Sequence, residues 1–273
     1  MTYCILYKEV IKIFDEKIKI RISGFLRHTL ELDAMCFNFV KKGEFPNLNS
    51  FLNKLIPNLL KLKKERREKA KVRLSDIVEF KSERMGYEEL VAALNASYDE
   101  VYFSDAELEQ LDQVIWIRPT KENIVVFDEI FDNETMLTGL DKSTYIRNML
   151  NEYSRFPRYK KEQIVFSEES DITLEARDSG RILKFRYEND KHKAYVFGCV
   201  YNYLEEQGNY ILCYDLSINA ICRFQLCEID YLHLLEKKYI PDSNLIEMCD
   251  KYIDEALWMD DEIISLDEVN DEK

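Results

Sequence analysis

Catalysis and metal binding need titratable or ligating side chains at usable spacing, and this sequence offers few of them. Its three histidines, His28, His192 and His233, fall in no H-E-x-x-H or comparable ligand spacing. Its seven cysteines (Cys4, Cys36, Cys199, Cys213, Cys222, Cys227 and Cys249) include no C-x-x-C pair, which speaks against zinc and against a disulfide framework. Several of them alternate with apolar residues, as small buried hydrophobes do. No G-x-x-x-x-G-K-[ST], G-x-G-x-x-G or G-x-S-x-G occurs, and seven glycines can scarcely build a phosphate cradle. Carboxylate pairs such as Asp260-Asp261 read as solvated charge. The expectation is a protein with no catalytic residue, no metal and no cofactor, and so not an enzyme. What remains with chemical meaning is positive charge. Lys17, Lys19 and Arg21 alternate with isoleucines, and Lys63, Lys64, Arg66 and Arg67 lie within residues 61–73, where eight basic residues meet two acidic ones. Clustered cations suit phosphate, whose neutralisation dominates nucleic-acid affinity.

These cations need elements to hold them. Residues 17–22 alternate with period two, which puts Ile18, Ile20 and Ile22 on one face of a strand and Lys17, Lys19 and Arg21 on the other. Leu26, Leu30, Met35 and Phe39 recur at helical spacing, predicting a helix over 25–40 that stops at Lys41-Lys42-Gly43. A second helix, with Asn47 or Asn49 as cap, carries Phe51, Leu52, Leu55, Ile56, Leu59 and Leu60, and Pro57 is expected to bend or end it. The basic run at 61–73 continues from this helix. Residues 87–112 read as an acidic amphipathic helix and connector without chemistry.

Strand, helix, glycine turn and helix with a cation at every second strand position resembles the ribbon-helix-helix family, in which two such strands pair into a groove-reading ribbon. A ribbon needs a partner, and the chain holds a second copy: a strand at 114–118 (VIWIR), a helix at 121–133, a turn at Gly139 and a helix at 141–153. Setting Phe51-Leu52 against Tyr145-Ile146 also sets Leu55-Ile56 against Met149-Leu150. The two copies are expected to pair within one chain as a pseudo-dimer. Trp116 interrupts the second strand, leaving a ribbon half cationic and half apolar.

Charge is distributed unevenly. The net charge of −14 argues against a nucleic-acid partner until it is resolved along the chain. Residues 1–73 carry +9 and residues 242–273 carry −10, the pattern of a basic binding end and an acidic tail. No apolar run of membrane-spanning length and no secretion signal are read here, so no membrane partner is expected and the cytoplasm is the default.

From Ile182 short strands follow one another: 182–187, 194–203, 209–215 and 221–226, with 228–233 as a fifth. Such spacing predicts a small closed or nearly closed barrel. Asn209-Tyr210-Ile211, then Leu212-Cys213-Tyr214-Asp215 and Arg223-Phe224-Gln225-Leu226, resemble the WYL domain over about 160–238. That resemblance implies a Sm-like five-stranded barrel binding nucleic acid or a nucleotide-like ligand. Asn209 stands in place of the usual Trp, Phe197 where proline is common, and Glu228 where arginine is common. The residues implied for binding are Lys184 and Arg186 on one strand face and Arg223 and Gln225 on a neighbouring strand, with Tyr187, Tyr201 and Tyr210 for stacking. An amphipathic stretch at 245–259 precedes a tail, after about Ile264, expected to be disordered.

The fold class expected is α+β: a ribbon-helix-helix-like N-terminal part, a Sm-like β-barrel and a C-terminal helix. Four regions are expected, at 1–73, 74–158, 159–238 and 239–273. Ribbon-helix-helix elements followed by a WYL domain resemble the accessory proteins encoded beside type VI-D CRISPR effectors. The resemblance implies single-stranded RNA binding as a homodimer and stimulation of an RNA-guided CRISPR effector ribonuclease. The alternative is a transcriptional regulator that binds duplex DNA through Lys17, Lys19 and Arg21, with the barrel as ligand sensor. A protein–protein adaptor burying partner surface on the Trp116 strand and the 245–259 helix is a third class.

Overall fold

A computed structural model describes residues 17–41, 45–81, 111–128, 139–202, 208–258 and 263–265. The chain divides into two compact units, Met1–Arg155 and Phe156–Lys273. The acidic connector expected at 87–112 lies outside the described residues except for its last two, as do residues 129–133 of the expected helix and the tail beyond Ser265.

The first unit is organised by strand β1 (Ile18–Ile22) and strand β4 (Gln113–Ile117). They pair antiparallel with Ile18 opposite Ile117, Lys19 opposite Trp116, Ile20 opposite Ile115 and Arg21 opposite Val114. Period-two alternation then sorts the side chains: Ile20, Ile22, Ile115 and Ile117 are buried, while Lys19, Arg21 and Trp116 face solvent. Helices α1 (Gly24–Cys36), α2 (Leu48–Lys81) and α3 (Lys142–Ser154), with Phe127 of the helical segment 121–128, supply further core residues. Phe51, Leu52, Leu55 and Ile56 are buried, and so are Tyr145, Ile146, Met149 and Leu150, the residues whose spacing matches between the two copies.

Two helix boundaries differ from expectation. Helix α1 starts at the Ser23 cap, whose Oγ accepts from Leu26 N–H at 3.2 Å, but it stops at Cys36 rather than near Val40. Asn38 takes a left-handed conformation (φ 62°) there, and Phe39 N–H returns to Ala34 O at 2.7 Å. Val40–Lys41 (β2) then pairs with Phe45–Pro46 (β3) as a minimal hairpin. Helix α2, in contrast, continues past Pro57 to Lys81 instead of ending there. Proline lacks the N–H that would have met Asn53 O, and that carbonyl instead accepts from Asn123 Nδ2 at 2.6 Å. Asn53 is itself a hub: its Nδ2 donates to Arg118 O and its Oδ1 accepts from Thr120 N–H at 2.8 Å. Asn123→Ala is expected to cost the first unit about 1–2 kcal/mol in urea unfolding, as one buried acceptor loses its donor. In a Pro57→Ala background the restored N–H satisfies Asn53 O and that cost shrinks.

The second unit begins with helices α4 (Arg158–Val165) and α5 (Ser167–Ser179). A five-stranded antiparallel path follows: β5 (Arg181–Tyr187), β6 (Asp190–Asn202), β7 (Asn209–Asp215), β8 (Ala220–Gln225) and β9 (Ile229–Lys238), in the order β8-β7-β6-β5-β9. The expected barrel closure is not found: among the described residues no ladder joins β8 to β9, and a 3₁₀ turn at Leu226–Glu228 separates them. The sheet nevertheless curls, since Phe224 of β8 lies within 5.0 Å, ring centre to ring centre, of Phe185 and Tyr187 on β5. Helix α6 (Ser243–Trp258) buries Leu245 and Cys249, and its Tyr252 meets Phe197 edge-on. Strand β10 (Ile263–Ser265) pairs with the far half of β6, so strand structure continues to Ser265.

Candidate nucleic-acid interface

The outer face of the β1–β4 ribbon gathers charge and one aromatic. Lys19 Nζ stands 5.6 Å from the centre of the Trp116 ring, and Trp116 remains 53% exposed although a side chain of its size is usually covered. It is held outward because its neighbours Ile115 and Ile117 point into the core. Lys17, Asn49, Trp116 and Arg118 together line an open depression of about 460 Å³. Asn49, in the first turn of α2, accepts from Arg118 N–H through Oδ1 at 2.8 Å, which ties the helix start to the end of β4. Among the described residues Lys17, Arg21 and Arg118 make no side-chain ion pair, so their charge is available to an anion. Of this group the alternation alone flags Lys17, Lys19 and Arg21. Arg118 could have been found as the next outward position after Trp116, whereas Asn49 gives no signal in sequence.

The basic run on α2 divides differently. Lys63 is 7% exposed, and its Nζ lies 2.6 Å from Glu152 Oε2 on α3, while Arg66 Nη1 reaches Glu152 Oε1 at 2.7 Å. These two cations hold α2 to α3 by sharing one carboxylate. Arg67 is half-buried, and Lys64 points to solvent. Over the described side chains the run is therefore in part a packed helix face rather than a continuous phosphate track.

In the second unit the implied residues lie on strands that are not ladder neighbours, although the curl brings Phe224 of β8 against Tyr187 of β5. Strand β8 does not neighbour β5, because β6 and β7 lie between them. On the β5 side Lys184 is exposed, and the Arg186 guanidinium stacks 4.1 Å over Tyr231, a residue forced to φ 53° and 67% exposed. On the β7–β8 side Arg223 covers Tyr210 at 4.5 Å, with half-buried Gln225 opposite Tyr210 in the ladder. Tyr187 is engaged: its hydroxyl donates to Glu228 Oε2 at 2.6 Å, and burial, reinforced by that carboxylate, raises its pKa. Tyr201 lies in β6, its backbone paired with Asn209 on one side and Ile264 on the other. His192 Nδ1 lies 2.5 Å from Oδ2 of the fully buried Asp215, a contact that fastens β6 to the end of β7.

Asn209 turns inward to Glu162 of α4. The Glu162 carboxylate is fully buried and accepts from Asn209 N–H at 2.5 Å, Asn209 Nδ2 at 2.8 Å and Cys227 N–H at 3.0 Å. Burial raises its pKa, and the three hydrogen bonds oppose that shift. Gly208 is required beside it, since a Cβ there would stand 2.3 Å from Glu162 Oε2. This hub joins α4, the start of β7 and the 3₁₀ turn after β8.

No helix among the described residues is long and apolar enough to cross a membrane. No family model matches the sequence, and no curated protein is similar to it. Solved structures do resemble it. Proteasome accessory factor B/C (PafBC) of Arthrobacter aurescens aligns over 84% of this chain and 36% of its own at 11% identity, with a TM-score of 0.25 that supports no argument. A protein described as a CRISPR Cas-related protein aligns over 90% of this chain and 73% of its own, at 12% identity and a TM-score of 0.58. The chain shares its fold with a CRISPR Cas-related protein.

Proposed function

We propose that this chain is a non-enzymatic CRISPR accessory protein that binds single-stranded RNA on the outer face of its ribbon and, as a homodimer, stimulates an RNA-guided ribonuclease. The observation that carries the reading is Trp116, exposed on a two-stranded ribbon among cations. A solvent-facing indole offers a stacking surface to an unpaired base, worth about 1–3 kcal/mol per base, and the lysines and arginines beside it neutralise phosphates. The fold shared with a CRISPR Cas-related protein supports the CRISPR association. Duplex readout needs a row of hydrogen-bonding side chains in the groove, whereas here Trp116 and Val114 occupy half the face.

The test is anisotropy titration of an unstructured RNA and of duplex DNA between about 50 and 200 mM salt, where a phosphate-driven complex weakens steeply. Tight RNA binding with a steep salt slope supports the reading. Absence of RNA affinity at the low-salt end removes it. Sequence-specific duplex binding instead favours the regulator reading, for which the paired antiparallel strands are the relevant observation.

A further inference from the structure

The depression beside Trp116 has an unusual polar lining. Of its four described lining residues, Lys17 and Arg118 carry only donors. Asn49 would ordinarily offer both a donor and an acceptor, but its Oδ1 is taken by the Arg118 backbone N–H at 2.8 Å. That bond also fixes the orientation of the amide, because an N–H cannot face the NH₂ group. Only Nδ2 is left for a ligand. Among the described lining residues every side-chain polar group left to a ligand is thus a donor. The ordinary charge of the two cations and the positive N-terminal end of the 34-residue helix α2, where Asn49 sits, add to one electrostatic sign.

We propose that this depression holds one unpaired nucleotide of the bound strand, its base stacked on Trp116, and that it prefers keto bases to amino bases. The inference rests on the ribbon face being the RNA-binding surface. Uracil O4 and guanine O6 and N7 are acceptors that Arg118 and Asn49 Nδ2 can meet. The exocyclic amines of cytosine and adenine place a donor against donors and find no side-chain acceptor among the described lining residues. Phosphate goes to Lys17 and the free face of Arg118. A space of about 460 Å³ is enough for one nucleotide. Comparison within one ring size separates this hydrogen-bond preference from stacking strength, which follows ring area.

The experiment uses the full chain carrying Trp258→Phe, which leaves Trp116 as its sole tryptophan, titrated with oligouridylate and oligocytidylate of equal length. Binding is expected to quench Trp116 fluorescence, with oligouridylate roughly 3- to 10-fold tighter, the scale of one unmatched donor at a half-open site. Asn49→Asp keeps an oxygen for Arg118 N–H and suits a first helical turn, but it exchanges the free donor for an acceptor. In that variant the ratio is expected to fall to about one or to invert. RNA binding without quenching, or equal affinity for the two oligomers in the Asn49 protein, overturns the nucleotide site while leaving the ribbon surface in place. Absence of binding to either oligomer overturns the ribbon reading itself.

Discussion

Glu162→Gln is expected to destabilise the second unit by about 3 kcal/mol, the scale of leaving buried donors unsatisfied in a network. Three N–H groups converge on the two carboxylate oxygens, and an amide has one acceptor oxygen and an NH₂ that faces a donor. The loss should be visible as an earlier urea transition of that unit, with the first unit's transition unmoved. Gly208→Ala attacks the same place from the backbone, because its Cβ would overlap Glu162 Oε2 at 2.3 Å, and it should produce a comparable shift. A Glu162→Gln protein with the wild-type midpoint would show that the hub is dispensable. The pH dependence adds a sign. Burial raises the folded-state pKa of Glu162 above its unfolded value, so its contribution is full below the unfolded pKa and is lost as pH rises through the folded one. The stability gap between wild type and Glu162→Gln should therefore narrow from acid towards neutral pH.

Neutralising Lys17, Lys19 and Arg21 together, each to glutamine, is expected to weaken single-stranded RNA binding by roughly 10- to 100-fold at low salt and to flatten the salt slope by about two. Three phosphate contacts at about 0.7 each give that slope change. The fold should tolerate the change, since these side chains point away from the core that Ile20 and Ile22 enter. Equal affinity and slope in the triple variant would remove the ribbon face as the phosphate-binding surface. A matched triple change on Lys63, Arg66 and Arg67 should act through stability instead, because Lys63 and Arg66 are held by Glu152.

Local pattern and tertiary context contributed different things. Alternation at 17–22 was enough to place isoleucines inside and cations outside, because strand geometry assigns faces by parity alone. Matching apolar spacing in Phe51–Ile56 and Tyr145–Leu150 was enough to mark residues that are buried in both segments, because helical period assigns faces. Helices α4 and α5 were not legible. The buried residues of α5 are Thr173 and Ala176, and those of α4 include Lys161 and Glu162, so neither carries an apolar stripe. Pro57 read locally as a helix breaker, and only the distant Asn123 made it harmless. Lys63 and Arg66 read as free charge until Glu152 arrived from α3. Five strands suggested a closed barrel, but closure depends on whether the first and last edges meet, and the 3₁₀ turn at Leu226–Glu228 keeps β8 from β9. Asn49, Trp116 and Arg118 came together through the β1–β4 pairing and one hydrogen bond from a helix start. Sequence periodicity determined which side of each element faces the core, because that depends on repeat geometry alone. Which charges are spent, which carbonyls are rescued and which donors share a depression depended on partners far along the chain, and those only the tertiary structure brought into contact.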